Sequence, residues 1–361
     1  MNNIKIKIKG AYGATNFGDD LLMCLFEKYF LNNFKNIDLN FEGIDMKYPD
    51  KLLVKAKYNS KSFNEDWFIY GGGTQFFSFQ QTHSKTFFGL IKKAITSPDK
   101  AMKKLLSMLE PKKTVNKHVA FLGFGLGPFY DNNEKIEQVK KTLSSAHFIG
   151  LRDEVSINYC KEWGINAFFG ADMAYSSYFD YQVSSDKKQN VKKKIGIVVR
   201  DWVWEESGRG YFEPILDLYK NRNEDYDFQF IIYAPDKDPE WMKRLKDEDT
   251  LIWDPNKYSI QEFLDTLNKF DGFISARFHG AIVGALLGKP VISIEIEPKL
   301  RILTEDIKEL FLWEKPFNSD DLNKLLDKMD YNVDYATSLD ILRTRADFAL
   351  EKFRGVFNKD Q

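Results

Sequence analysis

The chain has 361 residues, 43% of them hydrophobic and 29% charged, with 52 Lys and Arg against 53 Asp and Glu. That balance is globular with room for two domains, and a net charge near zero gives no case for nucleic-acid binding. Its two cysteines, Cys24 and Cys160, lack C-x-x-C spacing, which excludes a zinc ribbon or disulfide framework, and no run of about 18 apolar residues is present to span a bilayer.

Segment 4–9 reads as a strand rather than the apolar core of an export signal, so a cytoplasmic protein is expected. It leads into Gly10-Ala11-Tyr12-Gly13-Ala14-Thr15-Asn16-Phe17-Gly18-Asp19-Asp20. Glycines there let backbone N–H groups approach a ligand, which makes Asn16, Gly18 and Asp19 candidate loop contacts. The loop lacks the G-x-G-x-x-G of dinucleotide domains and the Lys-Ser/Thr of a P-loop, so neither NAD nor ATP is expected. Asp19 and Asp20, adjacent at a helix start, read as caps, and no metal is expected. A second strand at 67–70 opens onto Gly71, Gly72 and Gly73, of which Gly72 and Gly73 are further candidate contacts.

Segment 83–118 departs from this pattern, with nine lysines against Asp99 and Glu110. Met102, Leu105, Leu106 and Leu109 recur at i, i+3, i+4 and i+7, one face of a helix. Two readings stand: a basic amphipathic helix on an anionic membrane surface, or a solvated insertion packed on its domain.

Strands are expected next at 118–122, followed by the glycine-rich turn GFGLGP over 123–128, and at 147–151, followed by Arg152-Asp153. Asp153 or Ser156 is suited to cap the next helix. Arg152 is a candidate anion ligand, or else the partner of Asp153 at the helix entrance. Asp172 follows a short apolar run, and its sequence context assigns it no role.

The polar, lysine-rich stretch 181–194 reads as a linker between domains 1–180 and 195–335, with a helical tail, 336–361, free to pack on either. Strands of the second domain are expected at 195–199, 228–233, 251–253, 272–275 and 291–296. Arg200, Trp202 and Trp204 follow the first of these and are candidate acceptor contacts, since an indole face stacks on a pyranose. Aromatic packing beneath a loop accounts for the tryptophans equally well. Strand 272–275 delivers Arg277 and His279 to a helix N-terminus, where free N–H groups favour anions. Arg277 is suited to grip a carboxylate or phosphate, and His279 to exchange a proton near neutral pH. Lys299, after strand 291–296, returns to the same crevice as a point charge. Alternating strands and amphipathic helices predict an α/β fold of two Rossmann-like domains facing across a cleft, with ligands outside the carboxyl ends of the strands.

Taken in order, Asn16-Phe17-Gly18-Asp19, the triple glycine from Gly71, Arg152-Asp153 with Ser156, Arg277-Phe278-His279, Gly288-Lys289-Pro290 and Lys299 resemble the polysaccharide pyruvyl transferase family. The resemblance runs over about residues 10–310, leaving out the basic insertion and the tail. It implies a GT-B-like fold and transfer of the enolpyruvyl group of phosphoenolpyruvate onto two hydroxyls of a sugar, as a cyclic ketal with phosphate release, in surface or capsular polysaccharide biosynthesis. Implied roles are His279 and Arg277 as catalytic residues, with Arg152, Lys299 and Arg277 holding the donor. His279 would act as acid or base, Arg277 would orient the carboxylate, and Arg152 and Lys299 would take up charge on the departing phosphate. The implied partners are phosphoenolpyruvate as co-substrate, with no cofactor, and a lipid-linked or nucleotide-linked sugar acceptor. Two other readings share these residues: a GT-B glycosyltransferase using a nucleotide sugar, and a non-catalytic protein binding anionic glycans.

Overall fold

The computed structural model describes residues 3–44, 46–60, 64–76, 117–130, 132–183, 192–202 and 206–359. Most of the basic segment, 83–116, and Trp204 lie outside these residues.

The described chain forms two parallel sheets. The first runs β3 (Lys57–Tyr58), β2 (Ile37–Glu42), β1 (Ile4–Lys9), β4 (Trp67–Gly71), β6 (His118–Leu126), β7 (Phe148–Leu151) and β8 (Phe168–Phe169), with β5 (Thr74–Phe76) beside the end of β6. The second runs β11 (Thr250–Ile252), β10 (Tyr226–Ile232), β9 (Lys193–Val199), β12 (Gly272–Ser275), β13 (Val291–Ile294) and β14 (Phe311–Trp313). Every pairing is parallel: Ile8 lies opposite Ile69, and Ile197 opposite both Phe230 and Ile274. Central strands covered by helices on both faces must be apolar on both faces. The β7 sequence Phe-Ile-Gly-Leu and the β13 sequence Val-Ile-Ser-Ile are accordingly buried throughout.

The sequence GFGL (123–126), expected in a turn, continues β6 instead. Gly123, at φ +59°, lies where the β6–β7 register shifts, a bulge that lets the strand carry on to Leu126. The other misplacement concerns Lys299, which lies in the first turn of the helix Pro298–Asp306 rather than at a strand end.

The two sheets share apolar packing. The first helix, Phe17–Asn33, is capped by Asn16, whose Oδ1 accepts from Gly18 N, and carries Asp19 and Asp20 at its electropositive end. Its Phe17 ring is fully buried among Tyr233, Trp253 and Phe263 of the second domain, with centroids 4.7 to 5.1 Å away. Phe17 N donates to the Tyr233 carbonyl at 3.0 Å. The last helix, Ala336–Lys359, follows the second domain but packs on the first: Phe353 and Phe357 meet Trp67, and Phe357 meets Phe34.

A candidate active site between the two sheets

The chain turns out of β7 at Arg152, whose amide donates to the Phe124 carbonyl at 3.0 Å. Asp153 caps the helix Glu154–Glu162 through Ser156 N, while Ser156 Oγ accepts from Leu126 N at 2.7 Å. The Arg152 guanidinium is therefore held on a rigid strand end. Its Nη1 donates to Asp172 Oδ2 at 3.0 Å and its Nη2 to Thr74 Oγ1 at 2.8 Å, with Asp153 Oδ2 3.5 Å from Nε. Gly125 makes room for it, because a Cβ there would lie 2.9 Å from Nε. Gly72 and Gly73, at φ +67° and +70°, form the sharp turn into β5 that brings Thr74 to the guanidinium.

From the second domain, the helix Phe278–Leu286 projects two rings toward Arg152. The guanidinium stacks 4.5 Å from the centroid of the Phe278 ring, and Lys299 Nζ lies 5.7 Å from the same ring. One aromatic ring thus joins a cation from each domain. His279 Nε2 lies 3.5 Å from the same Asp172 Oδ2 that Arg152 holds. The imidazole packs against Gly18, where a Cβ would come within 2.3 Å of Nδ1.

Arg152, Asp172, Tyr175, Phe278 and Lys299 line one pocket. Among the described residues, Arg152 Nε and Tyr175 Oη are buried polar atoms of this pocket with no hydrogen-bond partner, and His279 Nε2, outside its lining, meets the Asp172 wall at 3.5 Å. Buried donors without partners are costly, so such a cluster has the character of a ligand site. The charge pattern fits an anion. Burial would push the Asp172 carboxyl up, but His279, Arg152 and the Ala174 amide hold it at about 2. Burial pushes the Lys299 ammonium down to about 8, assisted by Arg200 and Arg152 and opposed by Glu297. Glu297 is shared: Lys299 Nζ reaches it at 2.9 Å, and Arg200 pairs with the same oxygen.

The structure does not bring every expected residue to this pocket. Arg277 is buried within the second domain, where its guanidinium pairs with the Asp238 carboxylate and its Nε donates to the Val199 carbonyl at 3.3 Å. Its charge is already met, so it braces the turn after β12 rather than presenting a free fork. Trp202 is 1% exposed and lies beneath the Arg200 guanidinium, 4.9 Å away, so its face is not open to a sugar. Asn16 and Asp19 are engaged at the domain boundary: Asn16 Nδ2 donates to Asp19, which lies 3.7 Å from Lys237 Nζ. Among the described residues, no group of three His, Cys, Asp or Glu side chains is placed to hold a metal ion, and no helix is long and apolar enough to cross a membrane.

Sequence reasoning passed over Asp172 and Phe278 as site residues. Phe278 lies between Arg277 and His279 and looks like a spacer. Asp172, to which the sequence assigned no role, accepts from Ala174 N at 3.1 Å at the start of a short helical turn.

A family model described as polysaccharide pyruvyl transferase matches residues 16–298 of the chain. No curated protein matches the sequence. Among solved structures, the UDP-N-acetylglucosamine 2-epimerase of Rickettsia bellii superposes with a TM-score of 0.57 at 13% identity, over 99% of this chain and 97% of that one. The S. aureus MnaA–UDP co-structure gives 0.56 at 12% identity, over 97% and 94% of the two chains. A putative UDP-N-acetylglucosamine 2-epimerase from Listeria monocytogenes gives 0.55 at 13% identity, over 100% and 97%. At such identities the likeness is one of fold, and the fold is GT-B-like.

Proposed function

The chain belongs to the polysaccharide pyruvyl transferase family, and from that premise we propose that it transfers the enolpyruvyl group of phosphoenolpyruvate to two hydroxyls of a sugar, with release of phosphate. The observation that carries the donor assignment is the pairing of Arg152 and Lys299, one from each domain, across the Phe278 ring beside His279. A small donor with a carboxylate and a phosphate needs two separated cations in a site partly shielded from water, and this arrangement supplies them.

The chemistry follows from the residue types. His279 protonates the methylene carbon of the donor, leaving positive charge at C2, and a sugar hydroxyl adds there and returns its proton to the imidazole. The C2–O bond to phosphate then breaks, and the oxygen leaves with the electron pair. Arg152 and Lys299 stabilise the charge that grows on it. The second hydroxyl adds at C2 and closes the ketal, its proton leaving with phosphate. Arg200, partly exposed and paired with the Glu297 oxygen that Lys299 also reaches, is the group we assign to the acceptor side. A lipid-linked acceptor would give the basic segment 83–118 its membrane role.

The test is phosphate release from phosphoenolpyruvate across a panel of lipid-linked and nucleotide-linked sugars. His279→Ala should remain folded and lose about 10²-fold or more in kcat. Phosphate release near the wild-type rate in this variant rejects the role. A nucleotide sugar that raises the melting temperature while phosphoenolpyruvate does not would favour glycosyl transfer instead.

A further inference from the structure

The Arg152 guanidinium is one of the two cations assigned to the donor, and three features of the first sheet converge on it. Gly72 and Gly73, both at positive φ, turn the chain at the end of β4, and Thr74 opens β5. The bulge at Gly123 carries β6 on to Leu126, so that Thr74 pairs with Gly125, whose amide donates to the Gly73 carbonyl at 2.9 Å. Gly125 leaves the space beside it empty of side chain: a Cβ there would lie 2.9 Å from Arg152 Nε and 3.0 Å from Thr74 Oγ1. Together these features set one hydroxyl against the guanidinium, with Arg152 Nη2 donating to Thr74 Oγ1 at 2.8 Å.

The other terminal nitrogen, Nη1, donates to Asp172 Oδ2 at 3.0 Å, and the Phe278 ring covers one face with its centroid 4.5 Å from Cζ. Held at both terminal nitrogens and stacked on a ring, the guanidinium keeps one plane. Each terminal nitrogen carries two N–H groups, so each has a second to offer an anion. The two partners differ in what else they bring. Asp172 adds a charge and meets His279, whereas Thr74 is neutral and contributes position alone.

From this geometry we infer that Thr74 is a positioning residue for the donor: its hydroxyl fixes the plane of the Arg152 guanidinium before the anion arrives. The inference deepens the proposed phosphoenolpyruvate reading and rests on it. An arginine side chain free in the cleft would lose rotamer freedom on binding, whereas a guanidinium already pinned has little left to lose. A fixed fork also holds the donor in one orientation relative to His279 and Lys299, and misplacing a reacting group slows its reaction. Thr74 therefore acts through Arg152.

The test measures phosphoenolpyruvate affinity by titration calorimetry for the wild type, Thr74→Val, Thr74→Ser, Arg152→Gln and the double variant carrying Thr74→Val with Arg152→Gln. Val keeps the branched shape and removes the acceptor oxygen, while Ser keeps the oxygen. Thr74→Val should weaken binding about 10-fold, the scale of one hydrogen bond to a charged group, and Thr74→Ser should bind nearly as the wild type does. In the Arg152→Gln background the same Val substitution should change affinity by no more than about twofold, because the group it positions is gone. A merely structural role predicts an equal loss in both backgrounds, and that result overturns the inference. So does a Thr74→Ser protein that binds as weakly as Thr74→Val. If Thr74→Val does not fold, Thr74→Ala takes its place in both backgrounds with the same expectations. A wild type that does not bind phosphoenolpyruvate overturns the donor reading, and this inference with it. A wild type that binds it with an affinity that Thr74→Val leaves unchanged removes the present inference alone.

Discussion

Gly18 and His279 meet where the two domains touch, and the contact leaves no room for a methyl group. A Cβ on Gly18 would lie 2.3 Å from Nδ1 and 2.6 Å from Cγ of the imidazole. Gly18→Ala must therefore push the ring away from Asp172 or part the domains. The variant should keep its secondary structure and lose about 10-fold to 10²-fold in kcat, the scale on which small misplacements of a reacting group act. Unchanged turnover would show that the imidazole has freedom the packing denies it. At this scale the sequence was legible where a basic residue directly follows an apolar strand, as with Arg152. The same signal misdirected for Arg277, because its partner Asp238 lies 39 residues away on a different turn, and nothing local marks the pair. For Trp202 the open and buried readings are indistinguishable in sequence, and the fold chose burial.

The first helix is the element that joins the domains. Its N-terminal Phe17 fills an aromatic cage on the second domain, and one turn in, Asp20 accepts from Trp253 Nε1 at 2.9 Å and from Tyr48 Oη at 3.0 Å. Burial pushes the Asp20 carboxyl up to about 7, against the lowering effect of those two donors. Its folded value thus lies above the ordinary aspartate value, so the fold favours the protonated form. The stability it contributes is complete below about pH 4 and is lost as the pH rises through about 7. Asp20→Asn, which cannot ionise, should flatten the decline in melting temperature between acidic and mildly alkaline pH. Parallel melting curves for the two proteins would contradict this account of the junction. The elements that sequence made visible are those with long apolar runs, such as β9, β12 and β13. The short strands β3, β5, β8 and β14, of two or three residues, carry too little periodicity to be told from loops. The bulge in β6 hid for a related reason: glycines that permit a turn also permit a strand to shift register.

On the scale of the molecule, the two Rossmann-like halves were readable from the alternation of strands and helices. Their relative placement was not, since the Phe17 cage and the Phe278 ring are contacts between segments more than 100 residues apart. Yet the placement makes the site: Arg152, Asp172 and Thr74 come from the first half, Phe278, His279 and Lys299 from the second. A donor bound there should also report the charge on Lys299. The ammonium is cationic below about 8, so donor affinity should be full below that pH and fade as the pH rises through it. The most direct measurement is the melting temperature with and without phosphoenolpyruvate for the wild type, Arg152→Gln and Lys299→Gln. The account predicts a rise of several degrees for the wild type, corresponding to about 2.7 kcal/mol at a donor concentration about a hundred times Kd, and loss of most of that rise in either variant. A rise that survives in full when one of the two cations is removed would mean that a single domain holds the donor, and the shared site would be wrong.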